Sequence, residues 1–467
     1  MFSRRFPLAL AVLGFLPVVS AHAAIGDRFG FTSEEAALAG ARAGAAEMAS
    51  TSAFDNPAQL SLIPDAGATS ASTARFHWSV LYAEPSFADI HNVVVENPVN
   101  SDYGDGTSRK ADVDTNYPAT FGQSLGFAVH SKKSERRWGL GAIAYLPLDR
   151  FALLDSGESF APEYTLHRGR TQKPEFQLAL SGLLAKRLSF GAGVNLGAKL
   201  TSDTTIFLNQ GTGTASTMRI AASLKTQAVP YFGLTYLAPE ETASYGLVVR
   251  LAGSSPETLN VQATARAVGT VTAPDFSFPA LATMYYDPFT VSAGTRWRYS
   301  NTGALSFQLD YQAWSKFKSP AIVIQDQACD PNCSVDFEPG RDLSGRTRDI
   351  LVPRVGHAWT IGTNELRVGY AYRPGIYKEL PTDAGNAVDP DEHRFAAGYG
   401  LNVDSIPIFD APGRLDFNLG YSLYPKQTVT KSAGDENGKS VNQKVGAPGY
   451  EIGGYEWAAG VTLLLYL

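Results

Sequence analysis

The stretch Leu305-Ser306-Phe307-Gln308-Leu309-Asp310-Tyr311-Gln312 alternates strictly between apolar and polar residues. Successive side chains of a β-strand point to opposite faces, so this segment has one greasy face and one wet face. The same period of two returns at Leu366, Val368, Tyr370 and Tyr372 against Arg367, Gly369, Ala371 and Arg373. It returns again at Leu415, Phe417, Leu419 and Tyr421 against Asp416, Asn418, Gly420 and Ser422. Strands of a soluble antiparallel sandwich alternate too, so length has to separate the two cases. Soluble strands run to about 5–6 residues, whereas the segments 303–319 and 413–431 are far longer.

About fourteen such segments can be traced, beginning near Ala66, Ala119, Arg136, Gln172, Leu188, Ala215, Thr242, Met284, Gly303, Ile350, Asn364, Glu392, Gly413 and Gly449. Their connections alternate in length. Tight ones fall at 132–136, 187–189, 239–242, 300–303, 362–364 and 404–413, and long ones at 84–118, 152–171, 209–213, 269–283, 320–349, 378–391 and 432–448. An even number of long tilted strands with this parity predicts a closed up-and-down barrel. Its short turns would face the periplasm and its long loops the outside. The fold class expected is therefore all-β, a transmembrane antiparallel β-barrel in the outer membrane of a Gram-negative bacterium. Aromatic pairs near strand ends, Trp297 with Tyr299, Trp314 with Phe317 and Tyr370 with Tyr372, read as interface girdles.

Composition agrees with this reading. The chain is 44% hydrophobic, yet its mean hydropathy is only −0.11 because alternation hides the lipid face from any average. Beyond the first twenty-odd residues there is no apolar run near the ~20 that a spanning helix needs. With helices excluded, a closed barrel is what remains to cross a bilayer. A net charge of −6 and a pI near 5.7 give no electrostatic case for nucleic acid.

The ends carry separate signals. Arg4 and Arg5, the apolar 8–19 and Ala21-His22-Ala23 read as a secretory signal peptide over 1–23. Residues 24–65 have the wrong composition for a wall: Thr32-Ser33-Glu34-Glu35 and the alanines from Ala36 to Ala46 read as a short capped helix. Gly40 and Gly44 lower its stability by about 1 kcal/mol each relative to alanine, so surroundings must hold it, and a plug inside the lumen would be held. The barrel then occupies 66–467. Cys329 and Cys333 share one long connection and are expected to form a local disulfide in an oxidising envelope. Two cysteines without a neighbouring histidine supply only half of a usual tetrahedral metal site. Neither a metal nor any other cofactor is expected.

Three places resemble the FadL/TodX family of outer-membrane transporters of fatty acids and other hydrophobic compounds. Ala36-Ala37-Leu38-Ala39-Gly40-Ala41 followed by Phe54-Asp55-Asn56-Pro57-Ala58-Gln59-Leu60 is similar to the family's hatch motif. Leu309 to Phe317 resembles its strand ending in a Trp-Ser pair and an aromatic. The third is Leu366 to Pro374, with Pro381, Asp391 to Phe395 and Gly398-Tyr399-Gly400. The resemblance implies a fourteen-stranded barrel closed by an amino-terminal hatch, with cargo captured in an outward-facing apolar groove. A departure is the final Leu467, where the family pattern would end in an aromatic read by the barrel-assembly machinery. Lipid, lipopolysaccharide and hydrophobic small molecules are the other partners implied, and a monomer is the default.

Within that frame Asn56, Pro57 and Ala58 are expected at a constriction that rearranges to admit cargo; an ordinary turn after a helix is the bland account of the same triplet. Strand parity directs Arg296, Arg298 and Arg367 inward, where they would bind a carboxylate headgroup or else pair with wall carboxylates such as Asp310. Gly191, Gly193 and Gly197 could mark a kink for a lateral exit. The histidines His77, His91, His130, His167, His357 and His393 show no metal spacing, and there is no Gly-x-Ser-x-Gly elbow. The chain is therefore read as a non-enzyme. A general porin for small hydrophilic solutes, and an adhesin or receptor using the long loops, are the alternatives.

Overall fold

The computed structural model describes residues 24–45, 47–62, 73–88, 90–96, 108–113, 117–131, 137–149, 163–167, 173–209, 217–240, 242–266, 275–317, 323–324, 328–330, 345–380, 387–430 and 449–467. Fourteen strands close into one antiparallel barrel. In chain order they are β1 (Ala74–Phe87), β2 (Thr120–His130), β3 (Trp138–Pro147), β4 (Glu175–Ala185), β5 (Leu188–Asn209), β6 (Thr217–Leu237) and β7 (Ala243–Arg250). They continue as β8 (Thr290–Arg298), β9 (Gly303–Gln312), β10 (Ile350–Ile361), β11 (Asn364–Arg373), β12 (Glu392–Ile406), β13 (Ala411–Thr430) and β14 (Gly449–Tyr466). Each pairs with its neighbours in sequence, and β14 returns to β1 with Tyr466 opposite Arg75 and Gly454 opposite Phe87. That closure leaves no free edge.

The alternation that defines the strands is inverted relative to a soluble protein. On β9, Phe307, Leu309 and Tyr311 are exposed while Ser306, Asp310 and Gln312 are buried. On β13, Phe417, Leu419 and Tyr421 face out and Asp416, Asn418 and Ser422 face in. The exposed apolar side chains form the band that lipid covers, and the polar set lines a lumen that protein fills. No helix among the described residues is long and apolar enough to cross a membrane.

Twelve of the fourteen strand starts agree with the alternation to within three residues, six of them to the residue: Leu188, Gly303, Ile350, Asn364, Glu392 and Gly449. The start expected near Ala66 lies outside the described residues, and the described strand begins at Ala74. Further expectations need correction. The stretch 269–283 reads as a loop in the sequence, but its described part is strand: Asp275–Asp287 pairs with Gly253–Arg266 as a hairpin beyond the strand Ala243–Arg250, and Gly253–Arg266 pairs in parallel with the outer part of β5. The next wall strand starts at Thr290, after Pro288 has interrupted the ladder, and not near Met284. Trp314 and Phe317 are also not part of an interface girdle: both are buried at the outward end of the barrel. The backbone leaves strand geometry at Ala313 and turns through a short 3-10 helix, Trp314–Lys316, which rotates the indole inward to donate to Gln312 at 2.8 Å. Trp297 and Tyr299, in contrast, are exposed beside a short turn, as an interface pair should be. Cys333 lies outside the described residues, as do residues 1–23, so neither the disulfide nor the signal peptide has a structural account here.

Candidate functional site

The lumen is filled by the segment from Ala24 to Leu62: α1 (Ala24–Phe29), α2 (Ser33–Ala37), α3 (Ser52–Asp55) and a 3-10 turn, Pro57–Ser61. The sequence determines α2 locally. Thr32 is extended, with φ −134°, and its hydroxyl accepts from the Glu35 amide at 3.4 Å. The Glu35 carboxyl accepts the Phe31 amide at 2.8 Å, in the manner of a capping box. The helix stops where Ala39 and Gly40 take positive φ, 51° and 79°. Helices of four to six residues do not persist alone, so packing holds them. Phe31 and Phe54 meet edge to face at 5.0 Å. With Ile25, Met48 and Leu60 they form one apolar cluster against Tyr145 and Tyr231 of the wall. Each such side chain contributes about 1.5–3 kcal/mol by burial.

Asn56, Pro57 and Ala58 are all buried at the contact between plug and wall. The Asn56 side-chain amide donates to Ala43 O at 2.9 Å, to Leu234 O at 3.0 Å and to Thr235 Oγ1 at 3.1 Å. Its carbonyl accepts the Ala58 amide at 3.1 Å. Asn56 thus satisfies the turn and fastens it to β6. Pro57 opens the 3-10 turn, where its missing N–H is no loss. Farther along, Ser61 and Ser189 hydroxyls meet at 2.5 Å, and Ser189 also donates to Ala58 O at 2.6 Å. The wall opposite is cut back to admit this backbone. A Cβ at Gly246 would overlap the Ala43 carbonyl, and one at Gly191 would overlap Pro57. Gly191 therefore makes room for the plug, and Gly193 lies under the Tyr231 ring, which accounts for both without a strand kink.

Charged groups ring the inner, short-turn end. Glu34 of α2 binds the guanidinium groups of both Arg42 and Arg414. Burial alone would raise its carboxyl, but those two cations outweigh it and hold Glu34 well below the usual range. Glu35 behaves oppositely: burial, then the neighbouring Asp55 charge, push it well above that range, and burial raises Asp55 as well. The arginines singled out by parity also stand toward this end. Arg296 reaches Glu47 of the plug at 2.9 Å. Arg367 is fully buried between Asp416 at 2.7 Å and Glu365 at 2.8 Å. Arg298 is half-buried, its backbone amide tied to Thr242 O at 2.8 Å beside a short connection.

A second arginine set, not anticipated from the sequence, lines a cavity of about 40 Å³ above α1 at the outward end. Arg354 holds Asp310 at 2.7 Å and Ala39 O at 2.9 Å. Arg373 grips Asp389 through two nitrogens, at 2.6 and 3.0 Å, and Glu392 at 3.0 Å. Arg394 pairs with Glu392 at 2.8 Å. Arg28 of α1 links Glu456 at 2.6 Å to His167 of an outer loop at 2.8 Å. Burial and the Arg28 charge keep His167 well below the usual histidine range. Two aromatic clusters flank this cavity. In one, Phe87 stacks on Tyr164 at 3.8 Å beside Tyr424 and Tyr450; in the other, Leu166, Trp314, Phe317 and Ile376 pack together. The cavity has room for a few waters and no acyl chain. Parity had put Arg373 on the inward face; the signal missed was its position at the outer end of its strand, next to long loops.

No protein-family model matches the chain, and no curated protein does. Solved structures do. A Pseudomonas aeruginosa FadL homologue superposes with TM-score 0.56 at 13% identity, covering 96% of this chain and 98% of that one. The CymD monoaromatic hydrocarbon channel gives TM-score 0.51 at 12% identity over 96% and 99%. A closed fourteen-stranded barrel with its amino-terminal segment folded inside the lumen, the chain shares its fold with that FadL homologue and with the CymD channel.

Proposed function

We propose that the chain is an uptake channel for hydrophobic molecules, with long-chain fatty acids as the cargo, captured at the outward end and admitted by rearrangement of the plug around Asn56, Pro57 and Ala58. One observation supports it above the rest: two aromatic clusters flank an arginine-lined cavity above the plug that fills the lumen. Apolar rings suit a tail, and guanidinium groups at their base suit a carboxylate, which they can bind through two nitrogens. Arg28, Arg354, Arg373 and Arg394 are the headgroup contacts at capture. Arg296, Arg298 and Arg367 serve a headgroup leaving through the inner end, Arg296 after its release from Glu47.

A carboxylate cargo would exchange for the carboxylates these arginines now hold, so binding at Arg28 loosens the ion pair with Glu456 that ties α1 to the wall. The porin alternative requires an open conducting lumen. The test is equilibrium binding of radiolabelled oleate and of toluene to purified protein, with conductance in planar bilayers alongside. Saturable oleate binding with little conductance is expected. Steady large conductance without lipophile binding would favour the porin instead.

A further inference from the structure

We infer that Arg75 forms a carboxylate-binding site at the inner mouth of the barrel, beneath the plug, where the headgroup of an amphiphilic cargo rests before release; the inference rests on the channel reading above. Arg75 is the second residue of β1 and faces inward, 4% exposed. Its guanidinium lies over the Tyr466 ring of β14, 4.3 Å from the centroid. That stack fixes the plane of the group and leaves its N–H edge free to bond. The edge is not used: Nη1 is buried with no hydrogen-bond partner, and no carboxylate reaches Arg75 within ion-pair distance among the described residues. A buried cation left unpaired is costly, which is why arginines elsewhere in this lumen are paired. Here the carboxylates nearby are already engaged, Glu34 by Arg42 and Arg414, and Glu47 by Arg296.

Arg75 lines a cavity of about 60 Å³ together with Tyr466, Leu464 and Met48 to Thr51 of the plug; the carboxylates that also line it, Glu34, Glu47 and Asp416, are each paired with another arginine. Both strands that form it end at the short-turn side, so the cavity lies at the end from which cargo would leave. It accommodates a carboxylate and one or two waters, with the apolar Leu464 and the Met48 side of the plug beside it for the first carbons of a tail. Two N–H groups of one guanidinium match the two oxygens of a carboxylate, a fit that a neutral lipophile cannot make.

The test is uptake of radiolabelled oleate and of toluene by cells expressing the full chain, with Arg75→Gln and Arg75→Lys compared after a heat-modifiable electrophoretic shift has shown each barrel folded. Arg75→Gln is expected to slow oleate uptake by about ten-fold or more, the loss typical of one charged hydrogen-bonding group. Toluene uptake and oleate binding at the outward site are expected to stay as in the parent, and Arg75→Lys to recover part of the oleate rate. Equal loss for both cargoes, or no loss for either, would overturn the site. A parent chain that takes up toluene but not oleate would overturn it and leave the channel reading standing; one that takes up neither would sink that reading instead. Acetate binding lost in Arg75→Gln with oleate uptake unchanged would reassign the site to free small carboxylates and overturn the cargo role.

Discussion

Asn56 carries more than a turn residue ordinarily does, because its one side chain bonds the plug to itself and to the wall. Asn56→Ala removes the donor to Ala43 O, Leu234 O and Thr235 Oγ1 and the acceptor of the Ala58 amide, and is expected to cost about 1–3 kcal/mol of plug docking. The check is faster hydrogen exchange at the Ala58 amide together with an increased leak in planar bilayers. Gly246 tests the same contact from the other side. A methyl there overlaps the Ala43 carbonyl, so Gly246→Ala is expected to leave the barrel intact and push the plug off its seat, giving steady conductance. Glu35 and Asp55 make docking depend on pH. Their carboxyls sit above their ordinary values of 4.5 and 3.8 when the plug is docked, so the docked state holds protons that the released state gives up. Docking is then strongest near those ordinary values and weakens as pH rises through the window up to the raised ones. Glu34 sets the opposite limit, its contribution falling away as acid protonates it. Glu35→Gln should flatten the alkaline limb of Phe31 amide exchange measured against pH; an unchanged slope would remove Glu35 from the account. None of these contacts is legible in the sequence. Asn-Pro-Ala announces a turn, but only the closed barrel brings Leu234 and Gly246 to it.

At the scale of elements, period-two alternation reads the wall because each crossing strand has lipid on one side and a wet lumen on the other. It reads the outer loops less well: 269–283 reads as a connection, yet Asp275–Asp287 pairs with Gly253–Arg266 as a hairpin. Trp314 shows the same limit: one residue out of strand geometry at Ala313 turns a ring from the expected girdle into the outward apolar cluster. The two clusters at that end are the elements proposed to hold a cargo tail. Tyr164, in the outer loop stacked on Phe87, can be removed without touching the plug. Tyr164→Ala is expected to weaken oleate binding by about ten-fold, in line with the burial of one ring, while conductance stays as in the parent. A weakened affinity accompanied by leak would mean that the outer loop helps seat α1 through His167 and Arg28.

For the whole molecule, the barrel is rigid through its closed ladder, and the plug is held by small, separable contacts along its length. On the proposed reading the wall sets the route and the plug sets its state. The direct test joins the plug to the wall covalently. Ser61 and Ser189 hydroxyls are 2.5 Å apart, which makes this pair the place to engineer a disulfide between plug and wall. In a Cys329→Ser, Cys333→Ser background, Ser61→Cys with Ser189→Cys would lock the 3-10 turn to β5. The measurement is oleate uptake by this chain, oxidised and then reduced. Uptake that stops on oxidation and returns with reductant is the expected result; uptake that continues through the locked chain would contradict passage gated by the plug.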